Sequence, residues 1–173
     1  MNAERGFTLL ELIVTVVVAS ILLTVAVPSF TTLIRSNRAA SEANALLTML
    51  TLARSEAIKR NAAVVLCRST SGTACASGSG DWNSGVMVYV DQDGDGAYNN
   101  SDVIVQAAIP LSAVSSITFN AGSWLNFNPN GSTNKFGSFT ITPANDTNYT
   151  RKVVLSPTGR PRICDPAKDA TCT

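Results

Sequence analysis

The period of the hydrophobic positions changes twice along this chain. Residues 7–27, FTLLELIVTVVVASILLTVAV, are apolar almost without interruption, and the one carboxylate among them is Glu11. At about 1.5 Å per residue, a helix of this length matches a hydrocarbon core of roughly 30 Å. Beyond Pro28 the apolar residues Ala43, Leu46, Leu47, Leu50, Ala53, Ala57 and Ile58 recur at spacings of three and four. Arg35, Arg38, Glu42, Arg54, Glu56, Lys59 and Arg60 fall largely on the other side. The pattern predicts one long helix over 7–60: a membrane-spanning half over 7–27, then an amphipathic half over 28–60 that packs on a sheet. Pro28 lacks an N–H, which predicts a kink or a local break in the helical ladder.

From residue 62 the runs become short and β-like, separated by Gly, Asn, Pro and Ser. The expected strands are 62–68, 85–90, 103–109, 114–120, 124–128, 136–142, 149–156 and 160–164. No helical pattern intervenes, so the pairing should be antiparallel. The longest irregular stretch is 69–84, rich in Ser and Gly. The chain thus divides into a short leader (1–6), the helix (7–60) and a β-rich globular domain (61–173).

Composition narrows the chemistry. A chain of 173 residues fits one domain or one domain with an appendage. The net charge of +1 indicates no global field for an acidic partner. The absence of histidine removes Ser-His-Asp and Cys-His catalysis and imidazole-dependent zinc sites. No nucleophile motif, P-loop or dinucleotide fingerprint occurs, so no enzymatic role is expected. Four cysteines, Cys67, Cys75, Cys164 and Cys172, allow three pairings and contain no C-x-x-C spacing. The favoured pairing joins Cys67 to Cys75 and Cys164 to Cys172, which requires an oxidising compartment.

Two features set the apolar run apart from a secretory signal. Its small residue, Gly6, precedes the run instead of following it. A carboxylate inside a membrane helix is costly, which points to a partner and a function for Glu11. The stretch RGFTLLELIVTVVVASILLTVAVPSF resembles the class III leader and helix of type IV pilins and type II secretion pseudopilins, through Gly6, Phe7, Thr8, Leu9, Glu11 and Pro28. The resemblance implies cleavage after Gly6 by prepilin peptidase, N-methylation of Phe7, storage as a single-pass inner-membrane protein with a periplasmic domain, and assembly into a filament with other pilins. Glu11 can there pair with the Phe7 amino group of a neighbouring subunit, since two charges too expensive to bury alone fix a register together.

The region WNSGVMVYVDQDGDGAYNNSDVIVQ is similar to the GspH/FimT family, which includes minor pseudopilin H and the minor pilins FimT and FimU. The implied fold is α+β: a long N-terminal α-helix packed on an antiparallel, β-sandwich-like globular domain.

Two constellations in the domain carry possible ligand chemistry. In DQDGDGAYNNSD, Asp91, Asp93, Asp95, Gly96, Asn99 and Asp102 stand at the 1, 3, 5, 6, 9 and 12 offsets of a calcium loop. The final Asp is shorter than the usual Glu, and strands flank the loop, so the alternative is a metal-free acidic hairpin turn. Calcium is the single cofactor candidate.

The second constellation is the tail. Residues 61–150 carry Arg68 and Lys135 against six aspartates, a balance of −4, whereas 151–173 carry Arg151, Lys152, Arg160, Arg162 and Lys168 against Asp165 and Asp169, a balance of +3. Pro161 favours an extended Arg160. Arg160 and Arg162 would then project from one face about 6–7 Å apart, close to the spacing of successive phosphates on one strand. Gly159, Arg160 and Arg162 also match the Gly-Arg-any-Arg motif of DNA-binding FimT-type pilins, with Arg151, Lys152 and Lys168 as nearby charge. The expected function is capture of extracellular double-stranded DNA for natural transformation through its phosphates. A pilus-priming minor pilin and a secretion pseudopilin are the alternatives.

Overall fold

The computed structural model describes residues 7–78, 80–144 and 146–172, with every side chain among them except that of Val25. Helix α1, Leu9–Arg60, dominates it. Thr8 caps its start, its hydroxyl accepting the Glu11 N–H at 3.3 Å. Asn61 ends it in the left-handed conformation (φ 50°), with its N–H turned back to the Ala57 and Ile58 carbonyls. The helix runs through Pro28 uninterrupted, so the expected break in the ladder does not divide it. Proline removes one donor, and the turns on either side persist. The Pro28 carbonyl accepts from the hydroxyls of Thr31 at 2.8 Å and Thr32 at 3.0 Å.

Eight strands follow among the described residues: β1 Ala63–Arg68, β2 Val86–Asp91, β3 Val103–Ile109, β4 Ser115–Phe119, β5 Trp124–Phe127, β6 Gly137–Pro143, β7 Arg151–Leu155 and β8 Pro161–Cys164. They form two four-stranded sheets, β3-β2-β1-β5 and β4-β6-β7-β8. All of the pairings are antiparallel. The expected strand over 149–156 starts late, because Thr147–Tyr149 is a 3₁₀ turn capped by Asp146.

The two halves of α1 meet different surroundings. From Phe7 to Ile34 the described large apolar side chains are exposed, and this part is long and apolar enough to cross a membrane. From Ala39 onward one stripe, Ala39, Ala43, Leu46, Leu50, Ala53 and Ala57, is fully buried against both sheets. Two residues depart from the expected division of faces. Ile58 is exposed, whereas Glu42 is buried and accepts a hydrogen bond from the Ser112 hydroxyl at 2.6 Å.

The centre of the core is aromatic. Trp82 meets Phe139 and Phe119 edge to face at 5.1 and 5.9 Å, and its indole N–H donates to the Gly122 carbonyl at 3.2 Å. Strands β1 and β2 are buried on both faces, because the 69–78 and 91–102 loops fold over Val65, Cys67, Met87 and Tyr89. Cys67–Cys75 and Cys164–Cys172 are the two disulfides, as expected. Replacing Trp82 by Ala should cost about 3–5 kcal/mol of stability. Chemical denaturation that showed less than about 1 kcal/mol would mean that the aromatic centre is not the keystone of the domain.

Candidate nucleic-acid interface

The C-terminal basic residues sit on a hairpin and a disulfide-closed loop. Strands β7 and β8 pair with Lys152 opposite Cys164, Val153 opposite Ile163, Val154 opposite Arg162 and Leu155 opposite Pro161. Val153, Leu155 and Ile163 face the core, so strand alternation places Lys152, Val154, Arg162 and Cys164 on the outer face. The turn between the strands closes on itself: Ser156 N–H donates to the Arg160 carbonyl at 3.2 Å and Gly159 N–H to the Ser156 carbonyl at 2.9 Å.

Gly159 is buried with φ +73°, and a Cβ there would overlap the Gly131 carbonyl oxygen. Its place in the Gly-Arg-any-Arg motif therefore has an architectural cause. The hairpin turn lies directly on the turn before β6, and Thr133 N–H donates to the Pro157 carbonyl at 3.1 Å. Arg54 of α1 holds both turns, donating from Nε to the Gly131 carbonyl at 3.0 Å and from Nη2 to the Thr158 carbonyl at 3.3 Å.

The basic residues are not equivalent. Arg151 turns inward, with Nη1 3.0 Å from Asp165 and Nη2 3.5 Å from the Ser36 hydroxyl on the helix. Lys168 lies 3.9 Å from the same carboxylate. Lys152 donates to the Cys172 carbonyl at 3.1 Å. Arg162 is held by the disulfide loop, with Nη1 3.3 Å from Asp169 and Nη2 donating to the Thr171 carbonyl at 2.6 Å. The Thr171 hydroxyl and N–H, and after them the Arg162 guanidinium, keep the Asp169 carboxyl below its ordinary range. Arg160 is exposed, and no side-chain hydrogen bond or ion pair among the described residues holds its guanidinium. The two motif arginines thus have different surroundings. Arg160 belongs to the turn that precedes β8, whereas Arg162 lies within the strand and is engaged by the tail.

Sequence reasoning missed Arg54 and the acceptors of the terminal loop. Arg54 reads as one more base on a solvated helix face. The available signal is its place beside the buried Ala53, on the shoulder of the packed stripe.

The acidic loop is closed by its own amides. Asp91 is buried and accepts the N–H groups of Gly94 at 2.8 Å and Gly96 at 3.0 Å. Asp102 accepts those of Gln92 at 3.0 Å and Asn99 at 2.9 Å. Carboxylate oxygens of Asp91, Asp93 and Asp95 lie within 4.8 Å of one another, whereas the Asn99 amide nitrogen donates to Asp93 at 2.8 Å. Of the expected ligand set, three carboxylates are therefore brought together, and Asn99 and Asp102 serve as loop closures. Burial, and then the charge of Asp91, pushes the Tyr89 hydroxyl well above its usual value beneath this loop.

At the other end Phe7 and Glu11 are exposed at the start of α1. Gly6 lies outside the described residues. The family model for the Type II transport protein GspH matches residues 42–159, more than half of the chain. The chain belongs to the GspH family. A second model, the prokaryotic N-terminal methylation motif, matches residues 1–27 of this GspH-family chain. The pilin-like protein PilA1 of Thermus thermophilus is 31% identical over 178 residues, covering 92% of this chain and 98% of its own. The fold is similar to crystal structures of the type IV minor pilin FimU of Pseudomonas aeruginosa in two crystal forms. One match has a TM-score of 0.58 at 23% identity over 79% of this chain and 96% of that one. The other has a TM-score of 0.55 at 21% identity over 78% and 99%. The α+β pilin architecture is thereby confirmed. The methylation motif and the apolar N-terminal helix fit membrane anchoring, and the family implies association with other pilins in a filament.

Two outcomes are expected for the loops. Gly159→Ala should cost more than the ~1–2 kcal/mol of left-handed strain alone, because the hairpin must move away from Gly131. Unchanged thermal stability would contradict this packing. Asp91→Ala should cost about 1–3 kcal/mol by leaving two amides without their acceptor. An unaltered melting temperature would show that the acidic loop is not closed in this way.

Proposed function

We propose that this GspH-family pilin captures extracellular double-stranded DNA for uptake. The single observation that supports the reading most is the C-terminal hairpin, which offers an exposed and uncompensated Arg160 beside Arg162, Lys152 and Lys168. Gly159 and Arg54 fix the turn backbone, so the ordering cost of binding a phosphate falls mainly on the exposed Arg160 side chain. Arginine forks meet phosphate oxygens with paired hydrogen bonds. Arg160 contacts phosphate directly, and Arg162 does so with the donors that Asp169 and Thr171 leave over. Arg151 holds the tail to the helix and contributes long-range charge. No base-reading set of side chains accompanies the arginines, so binding is independent of sequence and falls steeply with salt. Several copies along a fibre offset the weak affinity of one subunit.

In this reading prepilin peptidase cleaves after Gly6, Phe7 is N-methylated, and the chain waits in the inner membrane until Glu11 pairs with a neighbour's amino terminus in the filament. A second reading, priming of pilus assembly without DNA, is favoured by the use of Arg151 and Lys152 within the domain, Arg151 on Asp165 and Lys152 on the Cys172 carbonyl. A role as a secretion pseudopilin is third. Loss of transformation with normal pili in a deletion strain supports DNA capture. Loss of pili supports priming, and loss of exoprotein secretion supports the pseudopilin.

The direct test titrates the full chain in neutral detergent with short duplex DNA at low and moderate salt, beside Arg160→Ala/Arg162→Ala. Salt-sensitive binding that disappears in the double variant is expected. Equal inertness of both proteins at millimolar concentration would sink the reading. The chain has no histidine, so no side chain with an ordinary pKa changes charge between about pH 5 and 8. DNA affinity should therefore stay constant across that window. A fall of tenfold or more there would mean that a group other than the arginine clamp controls binding.

A further inference from the structure

Arg160 lines a groove of about 260 Å³ between the β7–β8 hairpin and α1. Pro161 joins it from the hairpin, and Thr51, Arg54, Ser55 and Ile58 line the helix side. The motif partner of Arg160, Arg162, lines no part of this groove and is held by Asp169 and Thr171 instead.

Among the described residues the groove gathers two bases and no acid. Arg35, Arg151, Arg162 and Lys168 each have a carboxylate at 2.6–3.9 Å. Arg54 and Arg160 have none among the described residues, and no carboxylate lines the groove. Arg54 spends one Nε donor and one Nη2 donor on neutral carbonyls. A guanidinium has five donors, so Arg54 retains both charge and hydrogen bonds for a ligand. The Thr51 and Ser55 hydroxyls beside it donate to helix carbonyls at 2.8 and 2.7 Å. Two uncompensated like charges converging on a concave site make a local positive potential that an anion relieves.

We propose that this groove is the seat of one backbone phosphate, held between Arg54 and Arg160, so that the clamp joins the long helix to the C-terminal hairpin. The inference rests on the DNA-capture reading. It adds a binding residue outside the Gly-Arg-any-Arg motif and directs the DNA strand along α1. Arg54 then acts twice, as the staple that positions Arg160 and as a phosphate ligand.

Because Arg54→Ala would also release the two turns, the decisive variants are at Ser55, an exposed residue whose side chain bonds only to the preceding helical turn. The full chain in detergent is titrated with labelled duplex DNA over a salt series. Ser55→Glu sets a carboxylate in the groove and is expected to lower affinity about tenfold. Ser55→Lys adds a third base to the same seat and is expected to raise affinity about fivefold at low salt, with the salt slope unchanged because no further phosphate is reached. Melting temperatures should match the wild type in both. If both Ser55 variants bind like wild type while Arg160→Ala loses binding, the groove is not the phosphate seat, yet DNA capture stands. If the wild type shows no salt-sensitive binding, both the groove and the reading beneath it fail. If Ser55→Glu blocks filament assembly in cells with DNA binding intact, the groove is a contact between subunits and the proposal is overturned.

Discussion

Everything beyond the apolar half of α1 depends on how closely its second half can approach two sheets at once. The buried stripe brackets two leucines with alanines: Ala39, Ala43, Ala53 and Ala57 admit the backbone, while Leu46 and Leu50 fill the space between the sheets. Each fully buried leucine contributes about 1.5–3 kcal/mol from apolar burial alone. Trp82, from the loop between β1 and β2, adds an aromatic group to the same core by packing on Phe119 and Phe139 of the second sheet. The helix is therefore both the stalk of the molecule and the third layer of its core.

That seating places the shoulders of the helix beside the loops that join the strands. Arg54 stands next to the packed stripe and reaches the carbonyls of Gly131 and Thr158, two turns far apart in sequence. The two turns also touch each other, and Gly159 is the residue that lets them do so. A hairpin positioned in this way keeps Arg160 at a constant place relative to α1. In a filament built around the apolar half of such helices, the same hairpin would recur on every copy at the same place.

The terminal loop shows how the domain manages its excess of bases. The Cys164–Cys172 disulfide closes a short ring that supplies Asp165, Asp169 and two carbonyls, and these engage Arg151, Lys168, Arg162 and Lys152. The acidic 91–102 loop solves the opposite problem, turning its aspartates onto backbone amides. Both loops thus satisfy most of their charged side chains locally, whereas Arg160 on the hairpin is left open among the described residues.

The sequence by itself determined the architecture. Apolar period and length delimited α1 to within a residue or two, and short runs between Gly, Asn and Pro located all eight strands, because these signals are local and the sheets are antiparallel. The cysteine spacing likewise agreed with the two disulfides. Tertiary structure alone decided which side chains share a site. The order of the strands within each sheet, the burial of Glu42, the inward turn of Arg151 and the meeting of Arg54 with Thr158 all join residues tens of positions apart. Periodicity carries no information about such distances. The 3₁₀ turn at Thr147–Tyr149 belongs to the same class, since context overrode a local strand preference there. Arg160 and Arg162 look equivalent in a linear reading, two residues apart around a proline. Only the fold distinguishes them, because one ends a turn against the helix and the other lies in a strand beneath the tail.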